Sequence, residues 1–475
     1  MGVFSLKMVI AGLAGVDLAD VDLEMALATV PFANPSLAAR CLRRMADDPA
    51  ARAALAACLP ALLTTLAEAA HPDRVLVNLE RLSQNAHDRV ASFRLLADRP
   101  RALEMLVTLF AGSQFLTEIL LRNPTYLERL VEHKRLAQPR SVAELRSEAH
   151  EMVVDCCDEE CALAALRRFQ QWEMLRIGAC DLLGLCDLPT VTAQLAYLAD
   201  SLVQVCLEQA AARTSTPIDG FAVIAMGKLG GRELNYSSDI DLLFVARAEA
   251  TRYERMGQWL IDALTRMTAD GFLYRVDMRL RPWGQVGPLV TSLDGHIAYL
   301  YKHARLWEKQ ALLKACVIAG DEEVGTEFLQ RAEPAVFGTS GYDLRAEVHG
   351  IKQRIEARLR QAGRSWGEVK LGEGSIRDIE FVVQYLQLAF GATHPQVRSR
   401  NTLDALVRLF AAGLLPAADY RVLADGYTFL RTVEHHLQMM HYQQTHTVPN
   451  DDDVLGSLAR RLGFRWPRAG ELFRV

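Results

Sequence analysis

The sequence predicts an α+β fold, in which a small mixed β-sheet is embedded between largely helical regions. Apolar runs in the middle of the chain, beginning with residues 221–226, have the length and composition of buried strands. Before and after them, apolar residues recur at three- and four-residue spacing, which is typical of amphipathic helices. We therefore divide the 475 residues into a helical region at 1–150, a sheet domain with leading helices at 151–335, and a helical bundle at 336–475.

The composition argues against partners that need a strong basic field or a membrane. Half of the residues are hydrophobic, 23% are charged, and the net charge of −5 offers no basic field for nucleic acid. No apolar run looks long enough to cross a bilayer, so we expect no membrane association. The nine cysteines lack the spacing of a zinc site, which indicates reduced thiols in a cytoplasmic protein.

The helical region from residue 20 to about 150 is rich in Ala, Leu and Arg and carries no pattern typical of catalysis. A long helical stretch at residues 142–212 follows, and we assign its Arg167, Arg168 and Arg176 to a solvated face. The prolines of the first region are expected at helix boundaries, and they are Pro49, Pro60, Pro72, Pro100 and Pro124.

The first candidate site residues are two carboxylates at the start of the second predicted strand, Asp239 and Asp241. Alternate residues of a strand share a face, so these two lie about 7 Å apart on one side while Ile240 faces the core. Two carboxylates on one face suit Mg²⁺, a cation that takes oxygen ligands and leaves room for phosphates. An isolated Asp-x-Asp more often marks a solvated strand end, so the neighbouring residues decide between the two interpretations.

Those neighbours lie between the two predicted strands. Gly227, Gly230 and Gly231 bracket Lys228. Glycines allow backbone N–H groups to approach an anion, and the lysine supplies a positive charge. Neither the glycines nor the carboxylates would support a function alone, but their combination within one strand–loop–strand segment indicates nucleotidyl transfer.

A third carboxylate, Asp277, lies on a later predicted strand, after an amphipathic helix predicted at residues 252–270. Residues 275–281 alternate charged with apolar side chains, which is typical of a half-buried strand. If this strand pairs beside the first two, Asp277 completes a three-carboxylate site and Arg279 and Arg281 lie near the phosphates. The alternative is an edge strand with a solvated basic face.

The remainder of the chain is predicted to be largely helical. Residues 307–314 are expected on one helix. After a loop at residues 363–374, Ser375 is expected to cap a further helix, with Asp378 three residues on.

Three long motifs resemble the bifunctional glutamine synthetase adenylyltransferase/adenylyl-removing enzyme family, and they are GKLGGRELNYSSDIDLLFV, RVDMRLRPWGQVGPLV and GEGSIRDIEFVVQ. The resemblance covers about residues 100–450 and implies a DNA polymerase β-like nucleotidyltransferase domain. Where the family usually reads Trp-Glu-Arg-Tyr-Ala, this chain has Lys309 in place of the arginine, which loses bidentate geometry.

The resemblance also implies how the site works. Asp239, Asp241 and Asp277 would be the catalytic residues and would hold two Mg²⁺ ions. Other residues of the same motifs would bind the phosphates of the substrates, which are inorganic phosphate, ADP or ATP. These phosphate-binding residues are Gly227, Lys228, Ser237, Ser238, Arg279 and Arg281.

Complete members of the family resemble two nucleotidyltransferase halves in tandem, of which the amino-terminal half removes AMP from a tyrosine of glutamine synthetase by phosphorolysis. Residues 235–238, Asn-Tyr-Ser-Ser, resemble that half, so we expect deadenylylation that yields ADP and regulates nitrogen assimilation. Two alternatives stay open: adenylyl transfer from ATP to the same tyrosine, and a non-catalytic regulatory module. Glutamine synthetase is the implied protein partner, and the PII signal protein is an implied regulator.

Overall fold

The computed structural model describes residues 27–464, except 29, 134, 339–342, 364–365, 442–444, 450 and 463. The predictions for residues 1–26 and 465–475 lie outside these described residues. Helices form most of the described chain, and five short strands form one mixed sheet. The predicted α+β fold class is therefore confirmed.

A series of helices precedes the sheet: α1 (Pro35–Met45), α2 (Pro49–Glu68), α3 (Pro72–Asn85), α4 (Arg89–Asp98), α5 (Pro100–Gly112), α6 (Gln114–Arg122), α7 (Tyr126–Glu132), α8 (Val142–Val154), α9 (Glu159–Leu182) and α10 (Leu188–Thr214). Pro49, Pro72 and Pro100 each begin a helix as predicted, because the missing proline N–H costs nothing in a first turn. Pro60 lies inside α2, whose buried side chains continue on both sides of it, so that boundary prediction is wrong.

Two of the three arginines assigned to a solvated face are buried. Arg167 in α9 has 1% of its surface exposed and donates to the carbonyl oxygen of Arg266. Arg176 is also buried and forms an ion pair with Glu173 at 2.8 Å, whereas Arg168 stays near the surface. The prediction is wrong because neighbouring helices enclose much of α9, where carbonyls and carboxylates replace water as hydrogen-bond partners.

By length and composition, α2 and α10 could each cross a bilayer, so the prediction that no segment is long enough is wrong. In α10, 83% of the most apolar stretch is buried inside the fold, and in α2 the share is 44%. A core helix meets the same criterion of length and hydropathy, so these two helices are a weak indication of a membrane span.

The sheet consists of β1 (Phe221–Met226), β2 (Ile240–Ala246), β3 (Val276–Asp277), β4 (Val290–Ser292) and β5 (Cys316–Gly320). Its strand order is β3-β2-β1-β5, and β4 also pairs with β2. β1 is antiparallel to β2 and β5, whereas β3 and β4 are parallel to β2. A single helical turn, α11 (Gly227–Gly230), follows β1, whose bounds are those predicted.

Both faces of the central strands are covered. Phe221 and Val223 belong to the large core built mainly by the preceding helices. Ile224 and Leu243 face a second core, which is formed with the helices that follow the sheet. Because both faces are buried, β1 and β2 read as continuous apolar runs rather than as alternating ones.

The third predicted strand and the helix before it are both shorter than expected. Only Val276 and Asp277 pair with β2, and the chain then turns, so the predicted strand at 275–281 is wrong beyond Asp277. The helix α12 spans only Glu254–Thr265. The last residues of the predicted helix belong instead to a tight turn, in which Thr268 pairs with Gly271. Met267, which the longer predicted helix would have buried, is 68% exposed.

The helices after the sheet complete the fold: α13 (Leu293–Lys302), α14 (Leu306–Leu312), α15 (Glu322–Phe337), α16 (Leu344–Gln361), α17 (Ile376–Phe390), α18 (Thr402–Ala411), α19 (Ala417–His441) and α20 (Asp452–Arg461). Lys314 lies beyond the end of α14 rather than on it. Ser375 occupies the N-cap position of α17 as predicted, but its hydroxyl donates to the carbonyl oxygen of Lys370 and makes no capping hydrogen bond to the first turn. Asp378 instead accepts from the backbone N–H of Gly374.

Candidate active site

The parallel pairing of β2 with β3 brings the predicted carboxylates together. Asp241 is the register partner of Asp277, and Asp239 immediately precedes β2. The pairing is held by the backbone N–H of Ile240, which donates to the carbonyl oxygen of Arg275. All three carboxylates line one cavity of about 500 Å³.

The three carboxylates differ in their partners. Asp239 accepts from Nε of Arg275 at 2.6 Å, and Asp277 accepts from the backbone N–H of Arg279 at 2.8 Å and from its guanidinium. Asp241 accepts no hydrogen bond from any residue that the structure describes. Burial and the neighbouring charges of Asp277 and Asp239 raise the pKa of Asp241 to about 6.

The pKa of Asp277 is shifted in the opposite direction. Burial acts to raise it, but the hydrogen bonds and the positive charge of Arg279 outweigh burial and hold the pKa below its ordinary value. Asp241 is therefore the carboxylate of the three that has a negative charge without a hydrogen-bonded cation.

The surroundings of Asp241 fit a small cation. Gly227 has a φ of +55°, and a Cβ atom at that position would stand 2.3 Å from Oδ2 of Asp241, so glycine leaves this carboxylate accessible. Among the described residues, no three His, Cys, Asp or Glu side chains form a ready metal-ligand cluster. Mg²⁺ needs only one or two carboxylates beside water and phosphate oxygens. Asp241 is therefore sufficient together with Asp239, once Arg275 releases that carboxylate, or with Asp277, once Arg279 does.

Positively charged side chains line the same cavity. Lys228 is among them. Its Nζ lies 2.7 Å from Oε1 of Glu434, so its positive charge is paired with a carboxylate that lies outside the cavity lining. Lys370 also lines the cavity, and its charge acts to lower the pKa of Asp241, against the stronger effect of burial. Arg377 contributes a guanidinium that stands 3.7 Å from Glu380, and its buried Nε has no hydrogen-bond partner among the described residues.

The remaining predicted site residues are divided between the cavity and its support. Ser238 and Arg279 line the cavity. Ser237 is buried, and its backbone N–H donates to Oε1 of Gln438. Arg281 donates to the carbonyl oxygens of Met278, Gln285 and Gly287 and so holds the turn after β3.

A cluster of buried polar residues on α19 holds the loop at residues 233–238, and no sequence motif predicts this contact. Arg431 donates to the carbonyl oxygen of Glu233 at 2.6 Å and to Oδ1 of Asn235 at 2.7 Å. Glu434 accepts from Lys228 and from Nδ2 of Asn235 at 2.8 Å. The positive charge of Lys228 helps to hold the pKa of Glu434 well below its ordinary value, although burial opposes this.

These α19 residues lie about two hundred positions beyond the loop, so no local motif connects them with it. The available signal was their spacing. Arg431, Glu434, His435 and Gln438 recur at three- and four-residue intervals, which places polar groups on one face of a helix. All four are buried, which is rare for such side chains unless each has a partner.

Two family models match the chain. Residues 103–331 match the model described as glutamate-ammonia ligase adenylyltransferase, which includes the whole sheet. Residues 349–474, which follow the sheet in the sequence, match the model described as GlnD PII-uridylyltransferase. The fold and these matches define a nucleotidyltransferase.

Curated relatives have the same resemblance over most of this chain. A protein of Thioalkalivibrio sulfidiphilus is 38% identical over 84% of the chain and 43% of the relative, and one of Streptomyces avermitilis is 36% identical over 91% and 43%. A Pseudomonas aeruginosa protein is 36% identical over 80% and 41%. All three are named bifunctional glutamine synthetase adenylyltransferase/adenylyl-removing enzyme, and the chain spans less than half of their length. The chain is therefore similar to this family of nucleotidyltransferases over most of its own length and over less than half of the length of these relatives.

Proposed function

We propose that this chain removes AMP from an adenylylated tyrosine of glutamine synthetase by phosphorolysis, which yields ADP and the unmodified tyrosine. The observation that carries the proposal is the gathering of Asp239, Asp241 and Asp277 with Lys370 and Arg279 in one cavity. Carboxylates for a divalent cation beside basic side chains for phosphates are what nucleotidyl transfer requires. Glutamine synthetase is named as the target of the relatives, and here it is part of the proposal.

The carboxylates of Asp239, Asp241 and Asp277 would hold Mg²⁺, which supplies positive charge to the phosphate oxygens when it is bound. Arg275 pairs with Asp239 and Arg279 pairs with Asp277, which holds these two carboxylates in place. When these ion pairs open, the two guanidinium groups can bind phosphate instead. An oxygen of inorganic phosphate attacks the adenylyl phosphorus, and the bond between that phosphorus and the tyrosyl oxygen breaks. The tyrosine leaves as a phenolate, which needs little help from a general acid.

The direction of the reaction is supported by the residues that precede the carboxylates. Asn235, Tyr236, Ser237 and Ser238 resemble the half of the family that removes AMP. In the structure Asn235 is buried and hydrogen-bonded to both Arg431 and Glu434. This residue of the motif therefore supports the site and does not line the cavity. Control by the PII signal protein and a cytoplasmic location are further parts of the proposal.

Two assays on the chain test the proposal. We expect ADP to be released from adenylylated glutamine synthetase with Mg²⁺ and phosphate, and little label to pass from ATP to the unmodified enzyme. The variant Asp241→Asn should abolish the release, and Asp294→Asn, which replaces an exposed aspartate far along the chain, should not. Fast label transfer without phosphorolysis would assign the chain to the opposite reaction.

A further inference from the structure

Helices, as well as the sheet, contribute to the lining of the candidate active-site cavity. Trp307 of α14 and Phe381 of α17 line it with aromatic surface, and Ile351 of α16 adds an aliphatic side chain. Trp307 is 41% exposed although it is large and apolar. Aromatic surface open to a cavity is suited to stack against a flat ring of a ligand.

Two glutamines lie in the same helical wall and are hydrogen-bonded to each other. Nε2 of Gln310 in α14 donates to Oε1 of Gln384 in α17 at 2.6 Å, and both residues line the cavity. Gln310 is only 4% exposed. Among the residues that the structure describes, no other donor reaches Oε1 of Gln310 and no acceptor reaches Nε2 of Gln384.

This bond leaves a fixed pattern open to a ligand. The pair leaves one acceptor, Oε1 of Gln310, and one donor, Nε2 of Gln384, without a partner among the described residues. A buried amide oxygen without a partner costs free energy, and a ligand that donates a hydrogen bond to it recovers that free energy on binding. The cavity therefore has a polar edge that distinguishes among flat ligands according to where they carry donors and acceptors.

We propose that Gln310 and Gln384 select adenine as the base of the nucleotide, with the ring stacked on Trp307. The inference rests on the proposed function, because it places the base of the nucleotide whose phosphates would lie by Asp241. Adenine presents an amino donor at N6 beside an acceptor at N7, which complements the open pair. Guanine presents two acceptors at O6 and N7, so its O6 would face Oε1 of Gln310 without a proton between them.

The test is to measure binding of ADP and of GDP to the full chain by calorimetry in the presence of Mg²⁺. We expect wild type to bind ADP about tenfold or more tightly than GDP, as a matched pair of hydrogen bonds would produce. In Gln310→Ala, ADP binding should weaken about tenfold while GDP binding hardly changes, because only adenine donates a proton to Oε1 of Gln310, so the preference disappears. In Trp307→Ala, both nucleotides should weaken by a similar factor, because stacking does not depend on the base edge.

Gln353→Ala is the matched control, since Gln353 lies on α16, is paired with His349 and does not line the cavity. If Gln310→Ala does not fold, Gln310→Met keeps the side-chain volume and removes the same acceptor. Equal binding of ADP and GDP by wild type, or an unchanged ratio in the variant, would overturn the base assignment alone. Failure of wild type to bind ADP would overturn both the assignment and the proposed phosphorolysis.

Discussion

At the scale of single residues, Asp241 is distinguished by what it lacks. Asp239 and Asp277 are each neutralised by an arginine, whereas no described residue donates a hydrogen bond to Asp241. A buried charge without a partner lowers the stability of the fold, and proteins retain such charges chiefly where function requires them. The same residue should therefore matter greatly for activity and little for stability.

We expect Asp241→Asn to lower turnover about a hundredfold or more, because it removes charge where phosphate and cation would meet. Its free energy of unfolding should equal or exceed that of wild type, because asparagine keeps the shape and removes an unpaired buried charge. Turnover of ADP release and urea denaturation measure the two effects on the same preparation.

Asp294→Asn serves as the control for this prediction. Asp294 is 81% exposed and pairs with Arg331 at the surface, where such pairs contribute little. Both its turnover and its stability should stay at the wild-type level. Wild-type turnover in Asp241→Asn would instead remove Asp241 from the set of proposed cation ligands.

At the scale of elements, α11 is held by close backbone packing that only glycine permits. A Cβ atom on Gly230 would stand 1.9 Å from the carbonyl oxygen of Lys314 and 2.6 Å from that of Ala225. Backbone atoms cannot move aside as a flexible side chain can. The sequence pattern predicts that Gly230 lets backbone N–H groups approach an anion. In the structure its missing side chain instead permits close contact between the end of β1 and the chain before β5.

We expect Gly230→Ala to lower the free energy of unfolding by about 2 kcal/mol or more, as overpacked cores do. Gly350→Ala is the opposite case, because Gly350 lies within α16 and a methyl group added there would stand 3.6 Å from its nearest neighbour, a guanidinium nitrogen of Arg354. That variant should gain about 0.5–1 kcal/mol from helix propensity. Chemical denaturation of both variants measures the contrast, and equal stabilities would contradict it.

The junction of β4 with α13 contains a histidine that should make stability depend on pH. His296 is buried against Phe328, with Nδ1 3.2 Å from Oγ1 of Thr291. Burial lowers its pKa to about 4 from an ordinary value of 6.5. Between these two values the unfolded chain binds the proton and the folded chain does not, so stability conferred by the neutral ring is complete above pH 6.5 and is lost as the pH falls.

We expect the variant His296→Gln to lose this pH dependence. Between about pH 7 and pH 5, wild type should lose about 2 kcal/mol more of its free energy of unfolding than the variant does. Urea denaturation at the two pH values measures the difference. His349→Gln, at an exposed position of α16, should keep the wild-type pH dependence; if both variants behave alike, burial of His296 is not its source.

At the scale of the whole molecule, the sequence predicted what local patterns specify. The bounds of β1 and the pairing of Asp241 with Asp277 in one cavity followed from apolar runs and alternation. What it missed depends on contacts between distant segments. Arg167 and Arg176 are buried, and α19 is attached to residues 233–238. Both features arise because segments that are distant in sequence pack around these polar side chains.

A substitution on α19 should therefore reach the candidate active site. We expect Arg431→Met to lower the free energy of unfolding by about 3–5 kcal/mol, because the carbonyl oxygen of Glu233 and the side chain of Asn235 lose a buried partner. In preparations that remain folded at low temperature, turnover should also fall. Denaturation and ADP release measure the two effects.

Arg421→Met is the control, because Arg421 lies on the same helix but is exposed. Its stability should change by no more than about 0.5 kcal/mol. If Arg431→Met were as stable as this control, the contacts of Arg431 with the loop would not contribute to holding it.

The polar bridge between α19 and the site also constrains how the family can diverge. Lys228 with Glu434, and Asn235 with Arg431, form donor–acceptor pairs inside the protein, where one changed partner leaves the other unsatisfied. A tolerated change at one position of such a pair requires a compensating change at the other. Among aligned homologues, positions 228 and 434, and positions 235 and 431, should therefore covary although about two hundred residues separate them.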